Sequence, residues 1–181
     1  MRLRPASFLL VACVVAIAVA GCTDRPVAPA LLDTPFYQNK QEGFRFEAPD
    51  GWKMTSRGEY PPGPVEKERL LVEYRRLQGG PPASLRVSLI DLPPSAETGS
   101  YLRDRPIFRS LKAAPVETIS LGGQKAERFV FEDLQGKGGT IQEVVVVRRG
   151  ERVYFFSGGF AAGDKQAREQ FRRVVGSLVW G

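Results

Sequence analysis

Residues 141–149 read IQEVVVVRR, and after Gly150 they are followed by RVYFFS, residues 152–157. Both runs are rich in β-branched and aromatic residues, and a glycine lies between them, which predicts a β-hairpin. Four consecutive valines, 144–147, are apolar on both faces of a strand. We therefore expect this strand to lie in the middle of a sheet that is covered on both sides, and helices to supply the cover.

The best helix follows this hairpin. Asp164 is a good N-cap residue, and Gly176 should end the helix. Its two faces are separated by helical spacing, with apolar Ala167, Phe171, Val174 and Val175 opposite basic Lys165, Arg168 and Arg172. Residues 177–180, SLVW, then predict a last short strand.

The chain between the N-terminal region and residue 140 predicts more strands and turns. Phe44, Phe46 and Ala48 alternate with charged residues, PDG at 49–51 supplies a turn, and Trp52 and Met54 resume the apolar side. Further strands are predicted at 70–77 and 84–91, a hairpin at 116–132 around the glycine pair 122–123, and a weak helix at 95–110 that Pro106 interrupts. The predicted core includes Phe46, Trp52, Phe129, Val145, Phe155 and Phe171. These elements predict an α+β domain, mainly an antiparallel β-sheet covered by helices.

The N-terminus has the order of a secretory signal. Arg2 and Arg4 precede a stretch without charge that runs from residue 6 to residue 20, which is short for a permanent membrane span. The small residues VAG at 19–21 lead into Cys22 and resemble the lipobox of bacterial lipoproteins. We therefore predict a lipoprotein signal peptide at 1–21 and lipidation, including palmitate, of Cys22 as the mature N-terminus.

The predicted mature chain begins with a tether. Residues 22–35 contain three prolines among small residues, which is typical of an extended linker, and residues 36–181 form a single domain. Removal of Arg2 and Arg4 from 26 basic residues leaves 24 against 20 acidic residues, a net charge of +4. Export argues against nucleic acid as a partner, and a modest positive charge suits a domain held near anionic headgroups. Cys13 lies in the signal, so no disulfide is expected.

Two local patterns resemble the PsbP-like family, which comprises the photosystem extrinsic protein and bacterial relatives that include lipoproteins. They are GFRFEAPDGW, residues 43–52, and the closing helix with Phe171 before the pair 177–178. The resemblance covers about residues 36–181 and implies an α/β/α sandwich around an antiparallel sheet, usually in proteins that bind or assist other proteins. Its motifs are structural, and it implies no functional residue for this chain.

The composition removes several kinds of catalytic site. The sequence has no histidine and no cysteine after Cys22, which excludes His-supported triads and Cys-His dyads. Ser157 lacks the preceding glycine of a nucleophile elbow and is predicted to lie at a strand end. Residues 136–140, GKGGT, have the wrong spacing for a phosphate loop and predict a hairpin loop instead. A Ser-Lys or carboxylate-based hydrolase remains the least favoured alternative.

We expect a lipid-anchored extracytoplasmic binding or accessory protein without catalytic activity and without a cofactor or metal. Its partners are the membrane, through the lipid on Cys22, and an envelope protein. The alternative is a carrier of a small hydrophobic or acidic ligand in a pocket between sheet and helix. The candidate contact surface is Lys165, Arg168 and Arg172, for which a merely solvated helix face is the alternative. Thr23, rather than Asp, after the cysteine favours the outer membrane of a diderm cell.

Overall fold

The computed structural model describes residues 35–133 and 138–181. The strands are β1 (Phe36–Asn39), β2 (Phe44–Glu47), β3 (Lys53–Arg57), β4 (Arg69–Arg76), β5 (Ala83–Asp91), β6 (Lys112–Ala113), β7 (Glu117–Leu121), β8 (Gln124–Asp133), β9 (Thr140–Arg149), β10 (Arg152–Ala161) and β11 (Val179–Trp180). The helices are α1 (Thr98–Arg103) and α2 (Lys165–Gly176). The predicted signal peptide, lipidated cysteine and most of the tether lie outside the described residues.

The main sheet has eight strands, with the order β3-β4-β5-β10-β9-β8-β6 and with β7 also paired to β8. All its pairings are antiparallel. The valine-rich strand β9 lies between β8 and β10, and its four valines are buried. The prediction of a central strand with two covered faces is therefore confirmed.

The two faces of the main sheet carry separate apolar clusters. On the first face, Val145, Val147, Tyr154 and Phe156 join a cluster with the apolar side of α2. On the second face, Val144, Val146, Val153 and Phe155 join Leu102 of α1 and Phe108. The alternation of side chains along β9 and β10 assigns each residue to its face. All six residues of the predicted core are buried.

A second sheet accounts for much of the cover on the first face, which corrects the prediction of one sheet. β2 pairs with β1 and β11 in a three-stranded sheet, whereas β3 is an edge strand of the main sheet. Phe44 and Phe46 of the small sheet contact Phe156 of β10 with ring centroids 6.1 and 6.3 Å apart. The described chain is thus mostly antiparallel β-sheet with two helices, and helices supply less of the cover than the sequence predicted.

Three local expectations differ from the structure. Met54 is 39% exposed, because its strand lies at the sheet edge and buries almost none of its side chains. The helix expected at 95–110 is limited to the six residues of α1, which ends before Pro106. Ser157 lies inside β10 rather than at a strand end, since this strand continues to Ala161.

Glycines are required at two positions in the fold, the turn between β7 and β8 and the part of β10 that lies under α2. Gly122 and Gly123 have φ angles of 54° and 78°, which fits the predicted two-residue hairpin turn between β7 and β8. Gly158 lies under α2, where a Cβ atom would come 2.8 Å from Cδ2 of Phe171. A side chain at this strand position would therefore push the helix away from the sheet.

Candidate functional site: an arginine cluster on α2

The start of α2 is fixed by Asp164. Its Oδ1 accepts a hydrogen bond of 3.1 Å from the backbone N–H of Ala167, which is the predicted N-cap interaction. The Asp164 carboxylate also pairs with the guanidinium of Arg76 on β4. The hydrogen bond from Arg76 holds the pKa of Asp164 below its usual value. The helix is therefore anchored to the main sheet at its first turn.

The middle of α2 is tied to the turn that precedes β3. Gln170 accepts a 2.8 Å hydrogen bond from the indole N–H of Trp52 and donates one of 2.6 Å to the carbonyl of Asp50. Arg173 donates to the Asp50 carboxylate at 2.5 Å. These contacts, together with buried Phe171 and its edge contact to Phe160 at 5.5 Å, set the rotation of the helix on the sheet.

A buried carboxylate holds two arginines of α2. Glu143 of β9 is 0% exposed and points to the first face of the main sheet, beneath the helix. Nε of Arg168 donates to Oε2 of Glu143 at 2.7 Å, and Nε of Arg172 donates to Oε1 at 2.8 Å. Nη2 of Arg172 adds a third hydrogen bond of 3.1 Å to Oε2. Two guanidinium groups thus share one carboxylate.

A third arginine lies at the edge of this group. Nη1 of Arg128 on β8 is 3.9 Å from Oε1 of Glu143, and its Nη2 pairs with Glu117 of β7. Burial raises the pKa of Glu143, but the hydrogen bonds from Arg172 and Arg168 outweigh burial and hold this pKa below its ordinary value. We call Glu143, Arg168, Arg172 and Arg128 the arginine cluster.

The structure changes the interpretation of the predicted contact surface. Lys165 is exposed and has no ion pair among the described residues. Arg168 and Arg172 each use Nε on Glu143 and keep outer N–H groups at a partly exposed surface, with side-chain exposures of 26% and 42%. Sequence reasoning missed Glu143, although a glutamate that precedes four valines in a central strand was an available signal.

Two other networks of polar side chains have structural roles. Arg152 donates to Asp91 at 2.8 Å and to Glu42 at 3.0 Å, and Tyr154 also donates to Glu42. The first of these hydrogen bonds lowers the pKa of Asp91. Because Glu42 lies in the turn between β1 and β2, this network joins the small sheet to the main sheet.

The second polar group contains a serine beside a carboxylate. Ser88 donates to Glu68 at 2.6 Å, and Glu68 also pairs with Arg105 at 2.7 Å. Ser88 is only 2% exposed, so its hydroxyl is not presented to a substrate. Ser157 and the described part of the glycine loop, residues 138–140, have no hydrogen bond to a nucleophile-activating side chain.

Within the described ranges, no three Asp, Glu, His or Cys side chains lie close enough together to hold a metal ion. They also contain no helix that is long and apolar enough to cross a membrane. One groove of about 640 Å³ lies where β4 and β10 end and β5 and β9 begin. Its wall includes Ser84, Gln142 and Gly159, and no residue of α2 contributes to it.

The fold is PsbP-like. Solved structures with the same fold include the cyanobacterial PsbP (CyanoP) of Synechocystis sp. PCC 6803, with a TM-score of 0.59 and 16% identity over 81% of this chain and 92% of that one. LpqN, a Mycobacterium tuberculosis protein involved in cell envelope biogenesis, has a TM-score of 0.52 and 12% identity over 75% of this chain and 82% of that one.

A further structure, from Bacteroides thetaiotaomicron, has a TM-score of 0.52 and 10% identity, and the match covers 81% of this chain and 48% of that one. No protein-family model and no curated protein sequence matches this chain. At these identities the comparisons define the fold, and the predicted resemblance to PsbP-like proteins is confirmed at that level.

Proposed function

We propose that this protein is a lipid-anchored extracytoplasmic accessory protein that binds another envelope protein and has no turnover of its own. In this proposal Cys22 carries the lipid, residues 22–35 form the tether, and residues 36–181 form the binding domain. The shared fold with LpqN, a protein involved in cell envelope biogenesis, supports an envelope setting. Thr23 after the cysteine supports the outer membrane, facing the periplasm, in a diderm cell.

The observation that carries the binding role is the arginine cluster. A buried ion pair is weak evidence for a gain in stability, because burial of the carboxylate costs free energy that its partners only offset. Glu143 does, however, hold two long side chains in place at a partly exposed surface. Ordering such side chains on binding costs about 0.5 to 1.5 kcal/mol each, and here the fold has already ordered them.

The geometry favours a partner with carboxylates on its surface. The outer N–H groups of Arg168 and Arg172 present fixed donors that match a carboxylate in a two-point hydrogen-bonded pair. Arginine is enriched among the residues that dominate binding energy at interfaces. Lys165 extends the same surface by one turn toward the start of α2. A lipid anchor raises the local concentration of such a module near membrane partners.

Crosslinking in intact cells tests this function. A photoreactive amino acid at position 165 should form recurrent crosslinks to one envelope protein, identified by mass spectrometry. The same probe at position 86, on the second face of the main sheet, is the control. Crosslinks at 165 should weaken in a Cys22→Ala chain, which lacks the anchor. Equal, unspecific crosslinking at the two positions would refute the contact surface.

Variants of the arginine cluster separate binding from folding. The triple variant Glu143→Gln, Arg168→Gln, Arg172→Gln removes both arginines without leaving a buried charge, and we expect it to lose the crosslink. The double variant Arg75→Gln, Arg86→Gln is the control, because it neutralises two exposed arginines elsewhere on the main sheet. If the triple variant crosslinks as strongly as this control, the arginines are not the contact. An unmodified N-terminus by intact mass would refute the anchor.

A carrier role is the second candidate, and the groove beside β4, β5, β9 and β10 favours it. Ser84 and Gln142 flank Gly159 in the register of the sheet, and neither side chain has a hydrogen-bond partner among the described residues. A Cβ on Gly159 would lie 3.0 Å from the Ser84 hydroxyl. Native mass spectrometry of the purified protein decides this alternative, since a stoichiometric small molecule that Gly159→Val displaces supports a carrier.

A further inference from the structure

The small sheet has an outer face that points away from the core. The register places Gln38 of β1, Arg45 of β2 and Val179 of β11 in one row across this sheet. Their neighbours Tyr37, Phe44 and Trp180 point inward and contact Leu71 and Tyr154 of the main sheet. Phe36 lies on the same side as Gln38, since side chains alternate along a strand. Glu47 of β2 shares this side and lies opposite Phe36. We call Phe36, Gln38, Arg45, Glu47 and Val179 the outer sheet face.

Two large apolar side chains are exposed on this face. Phe36 is 60% exposed and Val179 is 46% exposed. An isolated exposed apolar residue needs no explanation, but these two lie on one three-stranded sheet, with Val179 opposite Arg45 and Phe36 opposite Glu47. Phe36 is also the first strand residue after the segment that we propose to be the tether.

Two cations on this side have no anionic partner. Lys40 and Arg45 are exposed, and neither forms an ion pair within the described ranges. Together with Gly43 and Gly181 they line a depression of about 430 Å³. The backbone N–H of Gly181 donates to the carbonyl of Gly43 at 2.8 Å, and a Cβ on Gly43 would lie 3.2 Å from the Gly181 carbonyl oxygen. The backbones of Gly43 and Gly181 are therefore in close contact beside the depression.

The chain enters the domain beside this face. The carbonyl of Pro35 accepts a 2.6 Å hydrogen bond from the N–H of Ala48, which holds the first described residue next to β2. Cys22 precedes Phe36 by 14 residues, which span roughly 43 Å at about 3.1 Å per residue in a polyproline-like extended conformation. An acyl group on Cys22 would therefore keep this edge of the domain within reach of the bilayer surface.

We propose that the outer sheet face docks on a bilayer that contains anionic phospholipid, with Phe36 and Val179 in the interfacial region and with Lys40 and Arg45 at the headgroup phosphates. This inference rests on the acyl anchor of the proposed function. The pairing of apolar and cationic side chains is the chemistry that binds proteins to anionic membrane surfaces. The arginine cluster then contacts a protein partner while the small sheet contacts the lipid.

Spin labelling of the full chain in nanodiscs tests the docking. The protein is produced with its own signal sequence, checked for acylation by intact mass, and reconstituted in phosphatidylglycerol and phosphatidylcholine. Gln38→Cys places a nitroxide on the outer sheet face, and Arg86→Cys places one on the second face of the main sheet as control. The chain has no cysteine besides Cys13 and Cys22, so the introduced thiol is the one that reacts in the acylated protein.

We expect the label at position 38 to be accessible to oxygen and shielded from a water-soluble nickel chelate, and the label at 86 to stay open to the chelate. Arg45→Gln or Lys40→Gln should lower the ratio of docked to undocked protein roughly fivefold each, which corresponds to about 1 kcal/mol per cation. Phe36→Ser should also release the label. Leu77→Ser, at another exposed apolar position, should not.

The results separate failure of the docking face from failure of the acyl anchor. An acylated chain whose labels at 38 and 86 are equally open to the chelate refutes the docking and leaves the anchor intact. A chain without acyl mass refutes the anchor, and its labels are then read on anionic vesicles. Shielding at 38 on those vesicles supports the docking face, and its absence overturns it.

Discussion

Glu143 makes a directional prediction about stability. Replacement of both of its partners, as in Arg168→Gln with Arg172→Gln, leaves a carboxylate that is 0% exposed without its hydrogen bonds. Breaking a buried pair in this way costs about 3 to 5 kcal/mol. Arg128, whose Nη1 remains 3.9 Å away, offsets part of this, so we expect about 3 kcal/mol.

Removal of the carboxylate should be milder than removal of the arginines. In Glu143→Gln the side chains of Arg168 and Arg172, which are already 26% and 42% exposed, can turn to water. The lost charge-assisted hydrogen bonds then cost about 1 to 2 kcal/mol. Addition of Glu143→Gln to the double arginine variant should restore most of its stability, because no buried charge remains.

The pH dependence has a definite sign. In the wild type the pKa of Glu143 is held low, so its contribution to stability is complete above the unfolded pKa of about 4.3 and is lost as pH falls through the folded pKa. In the double arginine variant burial is less opposed, and the folded pKa should lie above about 4.3. Its penalty is then complete near neutral pH and shrinks on acidification.

Urea unfolding at a series of pH values measures these differences. A loss of about 3 kcal/mol is a large share of the roughly 5 to 15 kcal/mol typical of a domain. In a domain of this size, each kcal/mol of lost stability lowers Tm by about 2 to 4 °C. If the double variant is as stable as wild type at neutral pH, or if the gap does not narrow toward about pH 4, the role assigned to Glu143 is wrong.

Three further outcomes are expected from the core. Phe171→Ala should lower the free energy of unfolding by about 3 to 5 kcal/mol, since the ring is 1% exposed, and an unchanged Tm would contradict its place under α2. Gly158→Ala should lower Tm and loosen hydrogen-exchange protection of α2, because a Cβ there would lie 2.3 Å from the Phe160 ring and 2.8 Å from Phe171. Burial raises the pKa of Tyr74 to about 12, so its contribution to stability should fall as pH rises from the unfolded pKa of about 10 toward 12. The difference between absorbance titrations of wild type and Tyr74→Phe isolates this group, and ionisation of Tyr74 near pH 10 in the folded state would refute the shift.

Local pattern predicted much of the fold. The hairpins at 116–132 and 141–157, the central position of the valine strand and the apolar side of α2 follow from periodicities of two and 3.6 residues and from glycine turns. These signals are local, because a side chain's alternation along its own strand does not depend on distant residues. The short α1 and the exposed Met54 were missed because edge position and loop packing are set by neighbours that pattern does not identify.

The candidate site was predicted only in part, and the reason is sequence separation. Periodicity placed Lys165, Arg168 and Arg172 together on one side of a helix, but it does not say which strand lies beneath them. Glu143 precedes these arginines by 25 and 29 positions, and only the docking of α2 on the main sheet joins them.

Sequence patterns alone were enough to predict the two central hairpins, α2, the six named core residues and, as an expectation, a lipid anchor at Cys22. The tertiary structure decided that β2 leaves the main sheet to pair with β1 and β11, and that Glu143 turns two predicted surface cations into a fixed pair. The physical reason is that alternation and helical spacing act within a few residues. Sheet partners and buried ion pairs are selected by the packing of the whole domain.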